Sequence, residues 1–378
     1  MSYKILSSVD QAASLFAQVQ PTQPFLQLAF WQALEQQQVI GQRAGWVSSH
    51  ILLECDNQPV ALMPVFRKTH HRGEYVFDHA WADAYARHGL NYYPRLVTSV
   101  PFTPVTGARV LLAEGYSLAQ LWPTLFEAIQ GLAQQYHASS WHGLFIDEAL
   151  RSVIQSAEPA LALRSHCQFL WTNQDYADFD GFLDRLTAKK RKSIKVERQK
   201  IVQQGITSQW IEGAQISPSD VDFFYQCYAN TYDVRGQRPY LTRAFFAQLV
   251  ASIPQHLLLI KASRGAQDVA AALFFKDQQT LYGRYWGAIE AVDCLHFEVC
   301  YYQGIDYAIT NKLCYFDPGT QGEHKLIRGF APVYTYSAHW LSQPEFMQAV
   351  SKFCVEERQY VQQYYEAALL STPFKQTV

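Results

Sequence analysis

Hydrophobic residues follow two spacings in the first half of the chain. Apolar positions three and four residues apart predict helices, and apolar runs that flank Asp56 and Asn57 predict a hairpin. Pro101 interrupts a later apolar run, and because proline lacks the N–H that a strand donates, this strand should bulge or splay. The predicted elements are, in chain order, two short helices within 10–38, a hairpin at 50–68, a splayed strand at 95–112, a helix at 118–136 and a strand at 140–146.

The second half of the chain repeats this order of elements. A hairpin is predicted around Arg264 and Gly265, and a strand, a helix and a closing strand follow it. We therefore predict two related α+β modules at 1–165 and 166–345, followed by an amphipathic C-terminal helix and tail at 346–378. The predicted elements are helices at 180–205, 220–228, 242–253, 295–311 and 346–370, a hairpin at 257–275, and strands at 281–287 and 313–317.

Composition and charge exclude several classes of protein. The 378 residues, 49% of them hydrophobic, exceed a single core and favour two or three domains. The formal net charge of −2 argues against a surface built throughout for nucleic acid, so any basic site is local. The motifs GxSxG, GxxxxGKS/T and GxGxxG are absent from the sequence, which disfavours common serine hydrolases, P-loop NTPases and Rossmann dehydrogenases.

Cysteine and targeting signals indicate a cytoplasmic protein. The seven cysteines are odd in number and scattered, and the sequence contains neither CxxC nor HExxH, so no disulfide framework and no metal site are predicted. The N-terminus lacks the apolar core of a signal peptide, and no uncharged apolar run reaches membrane-spanning length. We expect reduced thiols and no transmembrane segment.

Polar chemistry is densest between residues 281 and 340, where charged side chains stand among aromatic residues. On the predicted helix, spacing by four places His296 above Cys300 and Glu298 above Tyr302. A Cys–His pair invites a nucleophile, but a small aromatic-rich helix commonly buries cysteine as an apolar residue. Glu298 and His296 are the better candidates, as general bases.

The loop 317–329, DPGTQGEHKLIRG, follows a predicted strand and is rich in glycine. Glycines allow the backbone to approach a ligand, and the end of a strand is where α/β ligands tend to bind. Glu323 and His324 offer proton transfer, while Lys325 and Arg328 offer contacts to anions. The alternative is an ordinary glycine loop with charges on its surface.

The segment 189–200, KKRKSIKVERQK, carries seven basic residues among twelve. On a helix, Arg191, Lys195 and Arg198 form an outer stripe, and Gly205 provides the C-terminal cap. The predicted inner, buried face comprises Leu183, Leu186, Ile194 and Ile201. Guanidinium and ammonium groups match phosphate oxygens, so the stripe could bind phosphates or an RNA backbone. The alternative is a solvated charged face.

The segment 74–93 forms a second cluster of aromatic and charged side chains. Asp78, Trp81 and Asp83 could line an aromatic and carboxylate groove that binds substrate. The alternative is a structural lid of stacked aromatics and paired charges, and both interpretations remain open from the sequence.

Several long strings resemble bacterial FemAB-like proteins, a group described as acting in peptidoglycan biosynthesis or recognition and related to the GCN5-type N-acyltransferases (GNAT fold). They extend from Gly73 to Trp340. The strings are GEYVFDHAWADAYARHGLNYYPRL, SVPFTPVTG, KKRKSIKVERQK, RPYL, GRYWG, HFEVCYYQGIDYAI and FDPGTQGEHKLIRGFAPVYTYSAHW.

The resemblance implies two tandem acyltransferase-like modules, each a mixed sheet flanked by helices, and transfer of an acyl or aminoacyl group to an amine. The Arg/Gln-x-x-Gly-x-Gly/Ala phosphate loop typical of acetyl-CoA binding is absent from both modules. Acyl-CoA and aminoacyl-tRNA therefore stay open as donors, and a small molecule or cell-wall precursor as acceptor. A binding module for a peptidoglycan precursor or another phosphorylated ligand is the alternative.

These considerations assign two groups of candidate site residues. The candidate catalytic residues are Glu298, His296, Glu323 and His324. The candidate substrate-binding residues are Arg191, Lys195, Arg198, Arg284, Tyr285, Trp286, Tyr302, Gln321, Lys325, Arg328, Asp78, Trp81 and Asp83.

Overall fold

The chain divides into two units, which the computed structural model describes over residues 1–157, 161–320 and 322–375. The N-terminal unit comprises Met1–Pro21, Phe25–Cys167 and Tyr334–Tyr364, and the C-terminal unit holds Thr22–Pro24, Gln168–Val333 and the segment from Tyr365 onward. Sequence placed the boundary after 165 and kept 334–345 in the second module. The structure places that stretch in the N-terminal unit because its strand pairs with Ser140–Ile146.

Elements up to residue 172 alternate between short strands and helices. The strands are Ser2–Leu6 (β1), Trp46–Ser48 (β2), His50–Cys55 (β3), Gln58–Met63 (β4), Phe66–Lys68 (β5), Arg95–Thr98 (β6), Leu111–Leu112 (β7), Ser140–Ile146 (β8) and Ala162–Thr172 (β9). The helices are Ala13–Val19 (α1), Leu28–Gln36 (α2), His79–Arg87 (α3), Leu118–Tyr136 (α4) and Glu148–Ala157 (α5).

Elements beyond residue 172 include longer strands and a long terminal helix. The strands are Ile206–Glu212 (β10), Leu257–Arg264 (β11), Gln267–Lys276 (β12), Thr280–Ala288 (β13), Tyr315–Asp317 (β14) and Ala331–Leu341 (β15). The α-helices are Phe179–Arg185 (α6), Ala188–Gln203 (α7), Pro218–Asp233 (α8), Arg243–Ser252 (α9), Leu295–Phe297 (α10), Gln303–Thr310 (α11) and Pro344–Leu370 (α12). A π turn at Glu298–Tyr302 separates α10 from α11, and Glu323–Arg328 is a 3₁₀ helix.

The N-terminal unit is built on two sheets with α4 packed against them. β1, β3, β4 and β7 form one antiparallel sheet. In the other, β6 pairs in parallel with β8 through the α4 crossover, but only from Leu96 to Thr98. The chain then leaves the sheet before Pro101, as the prolines predicted. Apolar residues of α4, among them Trp122 and Leu125, are fully buried in the core between these elements.

The C-terminal unit repeats the same arrangement in a sheet ordered β10-β11-β12-β13-β14-β9. The β11–β12 hairpin confirms the turn predicted at Arg264 and Gly265. β13 pairs in parallel with β14 through α10 and α11, but only over Thr280–Tyr282. A bulge at Arg284 follows, because Leu273 faces Tyr285 while Phe274 faces Gly283. The α+β fold of two tandem modules, each a mixed sheet flanked by helices, is confirmed.

Three helix predictions need correction. The predicted helix at 180–205 is two helices, since the backbone of Leu186 is extended and ends α6 before α7 begins. The stretch 74–93, for which no helix was predicted, contains α3. The predicted helix at 295–311 is interrupted by the π turn. None of the described helices is long and apolar enough to cross a membrane.

Candidate active site

Glu298 begins the π turn between α10 and α11. A π turn bonds residues five positions apart, so side chains four positions apart do not stand above one another. This corrects the predicted stacking of His296 on Cys300 and of Glu298 on Tyr302. Burial also raises the pKa of the Cys300 thiol well above its usual value, which agrees with its rejection as a nucleophile.

The carboxylate of Glu298 is buried, and only one of its two oxygens is hydrogen-bonded. Oε1 accepts from Arg198 Nη2 at 3.2 Å and from Gln303 Nε2 at 2.8 Å. Oε2 is buried and has no hydrogen-bond partner within 1–157, 161–320 and 322–375. Because a buried polar atom without a partner costs free energy, its retention in a native fold points to a functional demand on this carboxylate.

Glu298 lines a cavity of about 710 Å³ that lies within the C-terminal unit. Apolar side chains such as Leu183 and Ile201 form part of its wall, and Lys195, Arg198 and Gln303 contribute polar groups. A cavity of this volume, in which apolar walls and converging polar groups meet, is within the range of small-molecule sites. We therefore take this cavity as the centre of the candidate active site.

Arg198 connects the basic helix α7 with the π turn. Its guanidinium lies 3.7 Å from Asp306 Oδ2 as well as bonding Glu298, and it stacks over the Phe179 ring at 4.4 Å. Burial raises the pKa of Asp306, and the Arg198 charge opposes that rise. These three contacts hold the guanidinium in one position beside the Glu298 carboxylate.

The predicted phosphate-binding stripe of α7 is occupied by acidic partners. Arg191 Nη1 donates to Asp184 Oδ1 at 3.0 Å, and Lys195 Nζ lies 3.1 Å from Asp180 Oδ1. The inner face is as predicted, because Ile194 is buried. Arg191 and Lys195 thus form one ion pair each, and Arg198 forms two. Three further lysines, at 189, 190 and 192, have no acidic partner among the described residues, and they lie in the first turn and a half of α7.

His296 belongs to an aromatic cluster beside the site. Its ring lies edge-on to the Trp286 ring, and the two centroids are 5.0 Å apart. The centroid of the His324 ring is 6.2 Å from that of His296. Burial, together with the charges of His324, Arg328 and Lys325, lowers the pKa of His296 to about 4. His296 is therefore neutral at pH 7 and a weaker base than a free imidazole.

His324, Lys325 and Arg328 lie on the 3₁₀ helix of the glycine loop, which is not a surface loop. Tyr301 Oη and His324 Nε2 are 2.9 Å apart. Lys325 is 1% exposed and donates to Gly319 O at 2.6 Å, and burial lowers its pKa to about 8. The buried side chains overturn the interpretation of this loop as a surface charge cluster.

Arg328 forms the centre of a buried network. It donates to Tyr302 Oη at 2.9 Å and to Glu197 Oε2 at 2.8 Å, and it lies 3.5 Å over the Phe297 ring. The Tyr302 hydroxyl also donates to Glu197. Because its protein partners occupy the guanidinium, Arg328 joins α7 to the π turn and is not open to a phosphate in this arrangement.

The remaining candidates of the C-terminal unit fall into different environments. Arg284 donates to Asp317 Oδ2 at 2.7 Å and to the carbonyl of Gly283 at 2.9 Å, in the gap where β13 and β14 separate. Tyr285 packs on core rings, with the Tyr228 centroid 5.7 Å away. Glu323 is exposed. The predicted site residue Gln321 lies outside the described residues.

The aromatic and carboxylate cluster of the N-terminal unit is a buried ionic network. Arg95 pairs with Glu74 and Asp78, and Tyr92 Oη donates to Asp78 Oδ2 at 2.6 Å. Burial raises the pKa of Glu74 to about 7, and the charges of Arg95 and Lys68 oppose that rise.

Trp81 is buried in a neighbouring aromatic cluster, while Asp83 is exposed on α3. The structure thus separates Asp83 from Asp78 and Trp81 and favours the structural alternative for this segment.

A family model described as peptidoglycan biosynthesis/recognition, FemAB-like, matches residues 6–376. The chain belongs to the FemAB-like family. Among solved structures, FemX is similar with a TM-score of 0.52 and 10% identity, over 93% of this chain and 100% of that one.

L-PGS from Bacillus licheniformis has the same TM-score and 10% identity, over 92% of this chain and 96% of that one. The C-terminal domain of a putative lysylphosphatidylglycerol synthetase from Agrobacterium fabrum also has a TM-score of 0.52 and 10% identity, over 90% of this chain and 94% of that one. No curated protein sequence matches the chain. At these identities the structural likeness establishes the fold of this FemAB-like protein.

Several residues of the FemAB-like site escape sequence reasoning. Phe179, Gln303 and Asp306 surround the Glu298–Arg198 pair, and Glu197 binds Arg328 and Tyr302. Glu197 is the single acid within the basic run 189–200, which was a usable signal for an internal partner. No comparable signal marks Phe179 or Gln303, because their positions depend on how α6 and the π turn meet α7.

Proposed function

We propose that this FemAB-like protein is an N-acyltransferase that moves an acyl or aminoacyl group to an amine, with Glu298 as the general base. The observation that carries the proposal is the buried Oε2 of Glu298, which has no hydrogen-bond partner in the described part of the chain and belongs to a residue that lines a cavity of about 710 Å³. General bases need an oxygen that is not already committed to hydrogen bonds.

In the proposed reaction, the amine nitrogen attacks the carbonyl carbon of an activated acyl or aminoacyl group. Glu298 takes one proton from that nitrogen. The tetrahedral intermediate then expels the alkoxide of an ester donor or the thiolate of a thioester donor, and Glu298 passes the proton to this leaving group. Gln303 and Arg198 hold the carboxylate through Oε1, so that its basic oxygen keeps one position. His296, neutral and weakly basic, is the second candidate for proton transfer.

We propose aminoacyl-tRNA as the donor and an amine on a cell-wall precursor as the acceptor, which places the reaction in the cytoplasm. The family description supports the acceptor, and the name of the Agrobacterium fabrum synthetase supports an aminoacyl donor. The lysines at 189, 190 and 192, which have no acidic partner in the described ranges, offer the positive charge that an RNA backbone requires. Acyl-CoA is the alternative donor.

The test compares wild type, Glu298→Gln and the exposed control Glu127→Gln. Each protein is incubated with radiolabelled aminoacyl-tRNA or acyl-CoA and with amine-bearing precursor peptides, and donor binding is measured separately. We expect Glu298→Gln to lower kcat by about 10²–10⁴-fold while donor binding stays within about twofold. Glu127→Gln should behave as wild type.

Two outcomes would contradict the proposal. Absence of both transfer and donor binding in the wild type would exclude an acyltransferase. Donor binding without turnover in wild type, unchanged in Glu298→Gln, would favour the alternative of a binding module for a peptidoglycan precursor.

A further inference from the structure

A second cavity, of about 480 Å³, lies within the N-terminal unit and takes no part in the proposed reaction. It is bounded by the segment after α3, the C-terminal half of α4 and the end of β15. Its volume is within the range of small-molecule sites. The described residues that line it include no Asp, Glu, Lys or Arg.

Amide side chains dominate the polar lining of this cavity. Asn91, Gln130, Gln134 and Gln343 are exposed at its edges, and they come from three separate elements. Each amide provides two N–H donors and a carbonyl acceptor. Such amides match ligand hydroxyls, because a hydroxyl also both donates and accepts hydrogen bonds. Neither the amide nor the hydroxyl carries a charge.

Aromatic side chains and one unused hydroxyl complete the lining. Trp340 is partly exposed, and aromatic faces attract the polarised C–H edges of a ring. Tyr85 is 1% exposed, and its Oη is buried without a hydrogen-bond partner among the described residues. Burial raises the pKa of Tyr85 to about 12, so the hydroxyl keeps its proton at neutral pH and remains a donor. A buried donor without an acceptor is destabilising until a ligand supplies one.

From this lining we infer that the cavity beside Tyr85 and Trp340 binds a neutral sugar ring, a hexopyranose unit. The amides meet the sugar hydroxyls, the indole meets its C–H face, and the Tyr85 hydroxyl donates to a ring substituent. Nucleotides and acidic sugars do not fit, because the described lining residues include no Lys or Arg to compensate a phosphate or carboxylate, and His137 is the one imidazole among them. This inference does not rest on the proposed transfer reaction, since it uses other residues in the other unit.

The experiment is saturation-transfer NMR on the full-length protein with methyl β-D-glucopyranoside as probe, and with glucose 6-phosphate and AMP as separate arms. We expect saturation of the pyranoside C–H protons and an affinity in about the millimolar range. Tyr85→Phe removes only the hydroxyl and is expected to weaken binding by about tenfold. Gln134→Ala, on the exposed face of α4, should also weaken pyranoside binding. The exposed control Tyr360→Phe should leave pyranoside binding unchanged.

Each contrary result overturns the inference. If the wild-type protein gives no pyranoside signal, the protein has no sugar site. If the wild type, Tyr85→Phe and Gln134→Ala bind the pyranoside equally well, the sugar binds somewhere other than this cavity. Glucose 6-phosphate or AMP could instead bind more tightly than the neutral pyranoside. If Gln134→Ala abolished that binding, the cavity would select an anion or a nucleobase.

Discussion

Arg198 donates to Glu298 over 3.2 Å and thereby binds one carboxylate oxygen, while the other is buried without a partner among the residues that the structure describes. The two residues are a hundred positions apart, and α7 and the π turn bring them together. Since Phe179 and Asp306 fix the guanidinium as well, Arg198 is a positioning residue for the proposed base.

Replacement of Arg198 by Gln is expected to lower kcat by up to about 100-fold with little change in KM, because the carboxylate loses its fixed position. Steady-state kinetics of the transfer reaction measures both constants. Arg198→Lys should restore part of kcat. The matched control is Lys200→Gln on the same helix, outside the cavity lining, whose exposed pair with Asp293 contributes little. Equal losses in both variants would mean that Arg198 acts only through stability.

The buried network around Arg95 predicts a large loss of stability. Arg95→Met leaves Asp78 without its cation and Glu74 with Lys68 alone in a buried site, which is expected to cost about 3–5 kcal/mol of unfolding free energy. Urea-induced unfolding gives the value. The exposed control Arg87→Met should change stability by less than about 0.5 kcal/mol. Adding Glu74→Gln and Asp78→Asn to Arg95→Met should recover part of the loss, and a further loss would contradict this account.

His296 predicts a loss of stability in acid. Its pKa is about 4 in the folded protein and about 6.5 when unfolded, so between these values the unfolded chain binds more protons. Stability therefore falls as pH decreases from about 6.5 to 4, by about 3 kcal/mol from this residue. His296→Phe keeps an aromatic ring and should give a flatter dependence of unfolding free energy on pH. The exposed control His88→Phe should leave the wild-type slope, and an unchanged slope in His296→Phe would refute the prediction.

The lysines at the start of α7 predict the salt dependence of RNA binding. If tRNA is bound there, changing Lys189, Lys190 and Lys192 together to Ala removes up to three phosphate contacts. The slope of log affinity against log salt should then decrease in magnitude by about 2–3. Filter binding of tRNA at several salt concentrations measures this slope. Arg191→Ala should change it little, since Asp184 already neutralises Arg191. If Arg191→Ala changed the slope more than the triple lysine variant, the RNA would bind the outer stripe that was predicted from the sequence.

Local patterns explain what could be predicted from sequence. The hairpin at Arg264 and Gly265, the proline-interrupted strand and the buried face of α7 depend on neighbouring residues, and the structure has them. The repeated order of elements indicated the tandem modules for the same reason.

The details of the site could not be obtained in this way. Residues 295–311 have the spacing of a regular helix, so nothing local marks the π turn that displaces Glu298. Likewise, the charges of α7 suggest open cations, and only the packing of α6 shows that Asp180 and Asp184 are their partners. Long-range pairing of charges is set by tertiary packing, which a single sequence does not reveal.

The π turn at Glu298–Tyr302 also bears on how activity can be gained or lost in descent. Relative to an α-helix, a π turn accommodates an additional residue, so removal of one codon here would let the segment close as a regular helix. Because the turn already accommodates the extra residue, the helical segments on either side would keep their faces and the core, while side chains within the turn, that of Glu298 among them, would point in new directions. On the proposed role of Glu298, a deletion of three nucleotides would then separate an active transferase from an inert homologue of the same fold.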